Sequence, residues 1–274
     1  KGKKILGYLF PGLITLLVML IVLVAKGIWP FGSSRIDLFD NMQQVAPLYA
    51  HLWDAMHGDA SIWFDWYTGL GTNVSMSMSA FSMISPFNLF LYLCPRDYIL
   101  EFISVLTVIK TFVMSVTMYA FINKRYNSLS YNIKALFAVA YAFCGYVLLY
   151  ASCFTPWMDI VALFPLLMMA LDVMEKTGKK LFYIIMVAVM FIINYYLAAM
   201  SLVYILLVGG MYLIFMCDKK ERCKKAWNVG IGTFTGIALS AFMLIPVFAQ
   251  LSQSQRTGNT ESLVSQYFSW ISNP

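Results

Sequence analysis

Apolar runs close to the length of a membrane-spanning helix, about 20 residues, recur along this chain and constrain its fold more than any other feature. Each run is long enough to cross the roughly 30 Å hydrocarbon core of a bilayer as an α-helix. Short polar segments rich in Lys and Arg separate the runs. The sequence therefore predicts an all-α polytopic membrane protein.

Composition and charge agree with a membrane protein. Charged residues make up 12% of the chain and hydrophobic residues 61%, whereas a soluble domain has about 25% charged residues. The net charge of +6 comes from Lys and Arg clusters between apolar runs, where such residues orient a protein in the membrane. A nucleic-acid partner is therefore not expected. The five cysteines form no CxxC pair with a nearby His, so no zinc site is predicted.

About seven transmembrane spans are predicted within a single domain covering residues 1–274. Their approximate bounds are 5–25, 99–122, 133–150, 158–174, 181–194, 197–216 and 226–248. The apolar stretch 181–216 is too long for one span and is split near Asn194. The basic N-terminus and every Lys-rich loop then lie in the cytoplasm, as the positive-inside rule requires.

The first connection, residues 28–98, is expected to be a long external loop with short interfacial helices. Its moderately apolar part, Ser79–Leu93, decides the topology. If it spanned the membrane, the basic loops at 123–125 and 175–180 would both lie outside. The positive-inside rule favours an interfacial or re-entrant segment instead.

The chain begins at Lys1 rather than Met, which suggests a piece of a longer protein. No small-residue cleavage site follows the first apolar run. That run is therefore expected to be a signal anchor rather than a removed signal peptide.

Lys110 lies in the middle of the second predicted span. A lysine at such a depth costs roughly 2.5–3.5 kcal/mol on insertion scales. One interpretation is a contact to a phosphate or carboxylate in a cavity between helices. The other is a buried ion pair with Glu101 or Asp172 that only fixes packing. Asp159 is expected to interact with a helix dipole, and Asp172 to be solvated.

The external loop combines acids, amides and aromatic residues at the membrane surface. Such a set suits a polar substrate with a lipid tail, because aromatic faces stack on sugar rings while amides and carboxylates bind hydroxyl groups. A carboxylate can also remove a proton from an attacking hydroxyl or hold a divalent cation. The alternative is a solvated loop with an aromatic belt.

The order of several polar and aromatic residues resembles the YfhO family of bacterial membrane proteins over nearly the whole chain. The residues that carry the resemblance are Asp40, Gln44, Pro47, Trp66, Gly69-Leu70-Gly71-Thr72-Asn73, Ser85-Pro86-Phe87-Asn88, Lys110, Trp157-Met158-Asp159, Phe164-Pro165-Leu166 and Asn194-Tyr195-Tyr196. Their order and spacing carry the resemblance, since none of the pieces is a tight motif.

The resemblance implies a fold and an activity like those of the GT-C superfamily of glycosyltransferases, in the bacterial cell membrane. Such enzymes take a sugar from a polyprenyl-phosphate carrier on the outer face. The implied acceptor is a cell-surface polymer such as lipoteichoic acid. The chain would be the N-terminal transmembrane core of a longer enzyme.

The resemblance also implies roles for individual residues. Asp40 would be the general base or a metal ligand, with Asp37 as the reserve candidate. Gln44 would share a helical face with Asp40, and Lys110 would contact the donor phosphate. The family usually has an aromatic residue where this chain has Val45, so stacking at that point is not expected.

Trp66 and Asn73 complete the predicted substrate-binding set, and Gly69 and Gly71 would shape the loop around them. A divalent cation is left open as a cofactor. The competing function is a transporter or flippase of lipid-linked intermediates, and a third is a structural subunit. Transporters place polar residues near the membrane midplane, whereas the acids here gather in one external loop.

Overall fold

The computed structural model describes residues 2–36, 38–68 and 70–252 and shows a helical protein. Helix α1 covers Gly2–Ala25 and precedes the long first connection. That connection contains a π-helical turn (Asn41–Val45), α2 (Ala46–His57), a hairpin of β1 (Phe64–Asp65) and β2 (Thr72–Asn73), α3 (Ser75–Ala80), and 3₁₀ helices at Pro86–Leu93 and Arg96–Tyr98. The remaining helices are α4 (Ile99–Arg125), α5 (Tyr131–Ala142), α6 (Gly145–Cys153), α7 (Met158–Thr177), α8 (Leu181–Ile193), α9 (Tyr195–Phe215), α10 (Lys219–Leu239) and α11 (Ala241–Ser252).

Five helical stretches in the described part of the chain are long and apolar enough to cross a membrane. They are Leu6–Ala25, Arg96–Arg125, Tyr131–Cys153, Thr155–Thr177 and Tyr195–Phe215. Helices α10 and α11 form a sixth candidate as a pair bent by 75°. The predicted span at 181–194 corresponds to α8, which has 13 residues and is about 20 Å long. The structure thus supports five or six spans, and the predicted number of seven is not confirmed.

Helix α4 is the central helix of the bundle. In its most apolar window 61% of residues are buried, against 28% in α1 and 17% in the stretch formed by α5 and α6. Helices α1, α5 and α7 pack around it. Residues on α4 are therefore enclosed on several sides, which places Lys110 in the interior of the protein.

Pro165 interrupts the hydrogen bonding of α7, and a tyrosine from α5 repairs the break. Proline has no N–H, so the Val161 carbonyl one turn earlier loses its helical partner. The Tyr141 hydroxyl donates to that carbonyl at 2.7 Å. Neighbouring helices commonly satisfy carbonyls that prolines release inside membranes. This contact fixes α5 against α7.

The same arrangement recurs at Pro11 in α1. The Gly7 carbonyl, one turn before it, accepts a hydrogen bond of 3.1 Å from the Tyr131 hydroxyl. Tyr131 is the first residue of α5, and Tyr141, which donates to the Val161 carbonyl, lies near the end of the same helix. Helix α5 therefore supplies the hydroxyl at both breaks.

The segment Ser79–Leu93 enters the bundle without spanning it, and we call it the inserted segment. Ser79, Ser82 and Asn88 within it are fully buried. The Ser82 hydroxyl donates to the Pro156 carbonyl at 3.0 Å, and the Asn194 side chain donates to the Ala80 carbonyl at 2.8 Å. The segment is thus held between the start of α7 and the end of α8. No helix in it is long enough to span a membrane, and its interfacial or re-entrant position stays a prediction.

Helix lengths place the inserted segment at a defined level. Asn194 follows a helix about 20 Å long, Asp159 lies about 20 Å along α7 from Asp172, and Lys110 lies about 22 Å along α4 from Arg125. Asn194, Asp159 and Lys110 therefore lie at about the same distance from the helix ends that carry Lys and Arg. The level falls short of the roughly 30 Å thickness of a hydrocarbon core. Non-helical backbone at such a depth must be buried in protein. In the inserted segment Ser82, Ser85 and Asn88 are buried, whereas its end, residues 89–93, is largely exposed.

Candidate functional site

Asp40 immediately precedes the π-helical turn before α2, and Gln44 lies within that turn. Gln44 donates from its side-chain nitrogen to Asp40 Oδ1 at 2.6 Å, which confirms that the two residues share a face. Asp40 is half-buried and Gln44 is exposed. Val45 is fully buried. The position after the glutamine therefore faces the core, so a side chain there packs internally rather than against a substrate in solvent.

Asn41, next to Asp40, anchors this turn to the bundle. It is fully buried. Its side-chain nitrogen donates to the Ser152 carbonyl at 3.1 Å, and its side-chain oxygen accepts from the Thr155 N–H at 2.9 Å. Sequence reasoning missed this residue, because a single asparagine in a polar loop gives no periodic signal. Its two contacts fix the position of Asp40 relative to the start of α7.

Lys110 and Asp159 form a buried ion pair beneath the turn. Both side chains have 0% exposure, and Lys110 Nζ lies 2.6 Å from Asp159 Oδ1. Lys110 Nζ also donates to the Thr155 carbonyl at 3.1 Å. The ammonium group lies 5.8 Å from the centre of the Phe87 ring in the inserted segment. The charge of Lys110 is thus balanced and hydrogen-bonded inside the protein.

The predicted partners of Lys110 were wrong. Glu101 instead pairs with Arg35 at 2.8 Å. Asp172 is 6% exposed and therefore not solvated as expected; it pairs with Arg125 and with Lys176 at 2.8 Å.

The expectation that Asp159 interacts mainly with a helix dipole also needs correction. Asp159 does lie in the first turn of α7, but its side chain pairs with Lys110. Two charges that are both withdrawn from water must neutralise each other. That requirement outweighs a dipole interaction, which contributes about 0.3–1 kcal/mol at exposed sites.

Thr155 connects the surface turn to the buried pair. Its N–H donates to Asn41, and its carbonyl accepts from Lys110. Asp40 and Lys110 thus belong to one constellation through Asn41 and Thr155. The Lys110 side chain has no exposed surface, so its contact with a donor phosphate stays a prediction. Its observed contacts position the backbone that holds the Asp40 turn.

Two other acids of the first connection, Asp54 and Asp65, accept hydrogen bonds from residues of the same connection. Asp54 accepts hydrogen bonds from Arg96 at 2.7 and 2.8 Å, and this partner holds the pKa of Asp54 below its ordinary value. Burial acts to raise the pKa of Asp65, but hydrogen bonds from Thr68 and Tyr67 outweigh it and leave that pKa lowered. Asp40 instead accepts a hydrogen bond from the neutral side-chain amide of Gln44.

Trp66 and Asn73 lie on the β-hairpin. Trp66 is 75% exposed and packs edge-on against Phe64, with ring centres 4.8 Å apart. The Asn73 carbonyl accepts from the Gln250 side chain of α11 at 2.6 Å, so the hairpin is tied to the end of the bundle. The substrate-binding roles of Trp66 and Asn73 stay predictions.

Gly71 shapes the hairpin loop, as predicted. Its φ of +97° is a backbone conformation that other residues rarely adopt, and a Cβ there would lie 2.9 Å from the Trp66 ring. Any side chain at this position would displace Trp66. Gly69 and Asp37, which were also singled out, lie outside the described residues.

Metal binding was left open at Asp40. Across residues 2–36, 38–68 and 70–252, no three or more His, Cys, Asp and Glu side chains form a group that could hold a metal ion. Asp37 is not among these residues. A role for Asp40 as a metal ligand therefore stays a prediction.

Comparison with known proteins supports the resemblance of the residue pattern. Searches of curated proteins and of solved structures each gave no match. Residues 12–273 match the model of a family described as bacterial membrane protein YfhO. The match covers nearly the whole chain, and the structure carries several helices long enough to span a bilayer. The chain is therefore a multi-pass bacterial membrane protein and belongs to the YfhO family.

Proposed function

We propose that the protein is a membrane glycosyltransferase that moves a sugar from a polyprenyl-phosphate carrier to a hydroxyl group of a cell-surface polymer such as lipoteichoic acid. The observation that carries the proposal is the Asp40–Gln44 pair, a half-buried carboxylate on a turn anchored to the bundle. The carboxylate is accessible and its position is fixed, and a general base needs both access and position. The reaction would take place on the outer face of the membrane.

The proposed reaction is a direct displacement at the anomeric carbon. The acceptor oxygen forms a bond to that carbon, and the bond from the carbon to the phosphate oxygen breaks. Polyprenyl phosphate leaves with the electron pair, and Asp40 takes the proton from the acceptor hydroxyl. Gln44 donates to Asp40 Oδ1, which leaves Oδ2 to face the acceptor.

Lys110 and Asp159 stabilise this site from the interior of the protein. Their charges cancel, and Lys110 holds the Thr155 carbonyl. In the described geometry the pair positions the Asp40 turn. A direct contact between Lys110 and the donor phosphate requires a state in which the buried layer opens and Lys110 exchanges Asp159 for the phosphate.

The test is transfer of a labelled sugar from polyprenyl phosphate by the full-length protein in membranes, with and without a chelator. We expect Asp40→Asn to lower transfer by about 10²–10⁴-fold, the usual contribution of a general base, without changing thermal stability. Asp59→Asn, which changes an exposed acid of the same connection, should retain activity. Undiminished transfer by Asp40→Asn would exclude Asp40 as the base, and loss of transfer with the chelator would indicate a metal.

A second candidate function is a flippase for lipid-linked intermediates, and the observation that favours it is the buried pair of Lys110 and Asp159. Ionisable residues at membrane depth are typical of transport pathways. The two functions separate in sealed vesicles that contain a fluorescent lipid-linked sugar. Movement of the lipid across the bilayer without sugar transfer would favour the flippase. Sugar transfer that depends on Asp40 would favour the glycosyltransferase.

A further inference from the structure

A cavity of about 360 Å³ lies between α4, α7 and α9, away from the proposed catalytic turn. Its volume falls within the range of roughly 300–1,000 Å³ that is typical of small-molecule sites. Its wall is mainly apolar and aromatic, and Phe164 and Tyr204 line it as an edge-on pair with ring centres 5.3 Å apart. Arg125, Asp172 and Glu175 line its other end. The cavity thus has an apolar interior and a charged mouth.

The lining follows one face of each helix. On α7 it extends from Phe164 to Glu175, which is about 16 Å along the helix axis. On α9 it follows Tyr204, Val208 and Tyr212 at helical spacing. The cavity is therefore elongated along the direction that a lipid chain takes in a bilayer, and it ends where the helices carry their Lys and Arg residues.

The charged mouth contains N–H donors that its carboxylates do not use. Arg125 and Lys176 share Asp172, while Lys225 and the Tyr212 hydroxyl share Glu175. Arginine has five N–H donors and lysine three, so Arg125 and Lys176 keep free donors beside Asp172, whereas Lys225 also pairs with Glu221. Arg125 and Lys176 are also 38% and 53% exposed. A phosphate oxygen can therefore join these cations without displacing Asp172.

The surrounding charge favours an anion. Residues 123–125, 172–180 and 217–225 contain ten Lys and Arg residues and four Asp and Glu residues. Basic pockets between membrane helices bind anionic lipid head groups. From the elongated apolar interior and the cationic mouth together, we infer that this cavity binds an anionic phospholipid, with one acyl chain between α4, α7 and α9 and the phosphate at Arg125 and Lys176. This inference does not depend on the proposed sugar transfer.

Two neighbouring glycines of α9 provide a matched test. Gly209 lines the cavity and Gly210 does not. A Cβ added at either position meets no atom within 4 Å beyond its chain neighbours and the backbone of its own helix. Gly209→Leu should therefore fill the cavity, whereas Gly210→Leu adds the same side chain to the same helix outside it. Both changes replace glycine by a better helix former, so both variants should fold.

The experiment titrates the delipidated full-length protein in detergent with phosphatidylglycerol, with phosphatidylcholine of the same acyl chains, and with inorganic phosphate. The readouts are thermal stability and lipid retention by native mass spectrometry. We expect phosphatidylglycerol to bind most tightly. Gly209→Leu should weaken that binding about tenfold, which corresponds to losing the burial of about two methylene groups, while Gly210→Leu binds like the parent. Lys176→Gln should reduce the preference for phosphatidylglycerol over phosphatidylcholine.

Equal lipid affinity of the Gly209→Leu and Gly210→Leu variants would overturn the inference. Stabilisation by inorganic phosphate alone, equal to that by phosphatidylglycerol, would show an anion site without a lipid. A photoreactive phosphatidylglycerol provides a readout on the unmodified protein. Crosslinks to the lining of α7 and α9 support the inference. Absence of crosslinks to this lining would show that no lipid occupies the cavity.

Discussion

Lys110 and Asp159 make the stability of the bundle sensitive to single substitutions at the level of the inserted segment. Each side chain is fully buried and depends on the other for a countercharge. The Lys110 ammonium group has a second partner in the Thr155 carbonyl. A buried ion pair contributes little net stability, but removing one member leaves an uncompensated charge.

We expect Lys110→Met to lower the free energy of unfolding by about 3–5 kcal/mol, since Asp159 would remain buried without a countercharge. The double variant Lys110→Met/Asp159→Leu should recover much of this loss. Chemical denaturation in mixed micelles measures both. Lys224→Gln, at an exposed position, serves as the control and should change stability by less than about 0.5 kcal/mol. A double variant no more stable than the single one would contradict the assigned pairing.

The position of Lys110 within an apolar run was sufficient to identify it as unusual, but its partner could not be predicted. Which residues of two helices face each other depends on how the helices pack, and a single sequence does not record that register. Asp172, the acid on α7 expected as the partner, lies about 20 Å further along the helix than Asp159. Asp40 was predicted together with Gln44 because their spacing is local, and their contact is confirmed.

At the scale of single elements, α5 donates hydrogen bonds to two helices that contain prolines, α1 and α7. Its tyrosines at positions 131 and 141 donate to the Gly7 carbonyl of α1 and the Val161 carbonyl of α7. A carbonyl in an apolar environment without a donor is costly. The hydroxyl groups thus allow these helices to keep their prolines.

Tyr141→Phe should destabilise the protein by about 1–3 kcal/mol, because it leaves the Val161 carbonyl without a donor. Pro165→Ala restores an N–H one turn after Val161. In that background Tyr141→Phe should cost clearly less. A double-mutant cycle of unfolding free energies measures this coupling, and additive effects of the two changes would refute the role assigned to Tyr141.

The length of the apolar stretch 181–216 was sufficient to predict the break near Asn194, but hydropathy did not predict the contacts that cause it. The apolar stretch continues through Asn194, yet the helix ends at Ile193. Asn194 ends it because its side chain donates to the Ala80 carbonyl and accepts from the Leu197 N–H. The inserted segment thus covers the end of α8, and hydropathy does not indicate that one protein segment takes the place of lipid or water there.

At the scale of the whole molecule, Lys and Arg residues concentrate at one end of α4, α7 and α10. From the positive-inside rule we expect that end to lie in the cytoplasm and the first connection to lie outside. Cys223 lies at this end and is exposed. Its reactivity therefore reports the orientation of the chain in the membrane.

In a variant that retains Cys223 as its single cysteine, a membrane-impermeant maleimide should label intact cells only after permeabilisation. A second variant with Ser61→Cys as its single cysteine, an exposed position in the first connection, should react without permeabilisation. Labelling is read by mass shift on gels. Reaction of Cys223 on intact cells would show the opposite orientation.

The inserted segment also has a consequence for biogenesis. Ser82 accepts from an Asn194 side chain 112 residues later in the chain. A ribosome that adds about 5–20 residues per second completes that partner several seconds after Ser82 emerges. Until then the segment lacks its contacts with the end of α8, although its partner at the start of α7, the Pro156 carbonyl, is made earlier. The last steps of assembly are therefore set by the order of synthesis as well as by the stability of the finished bundle.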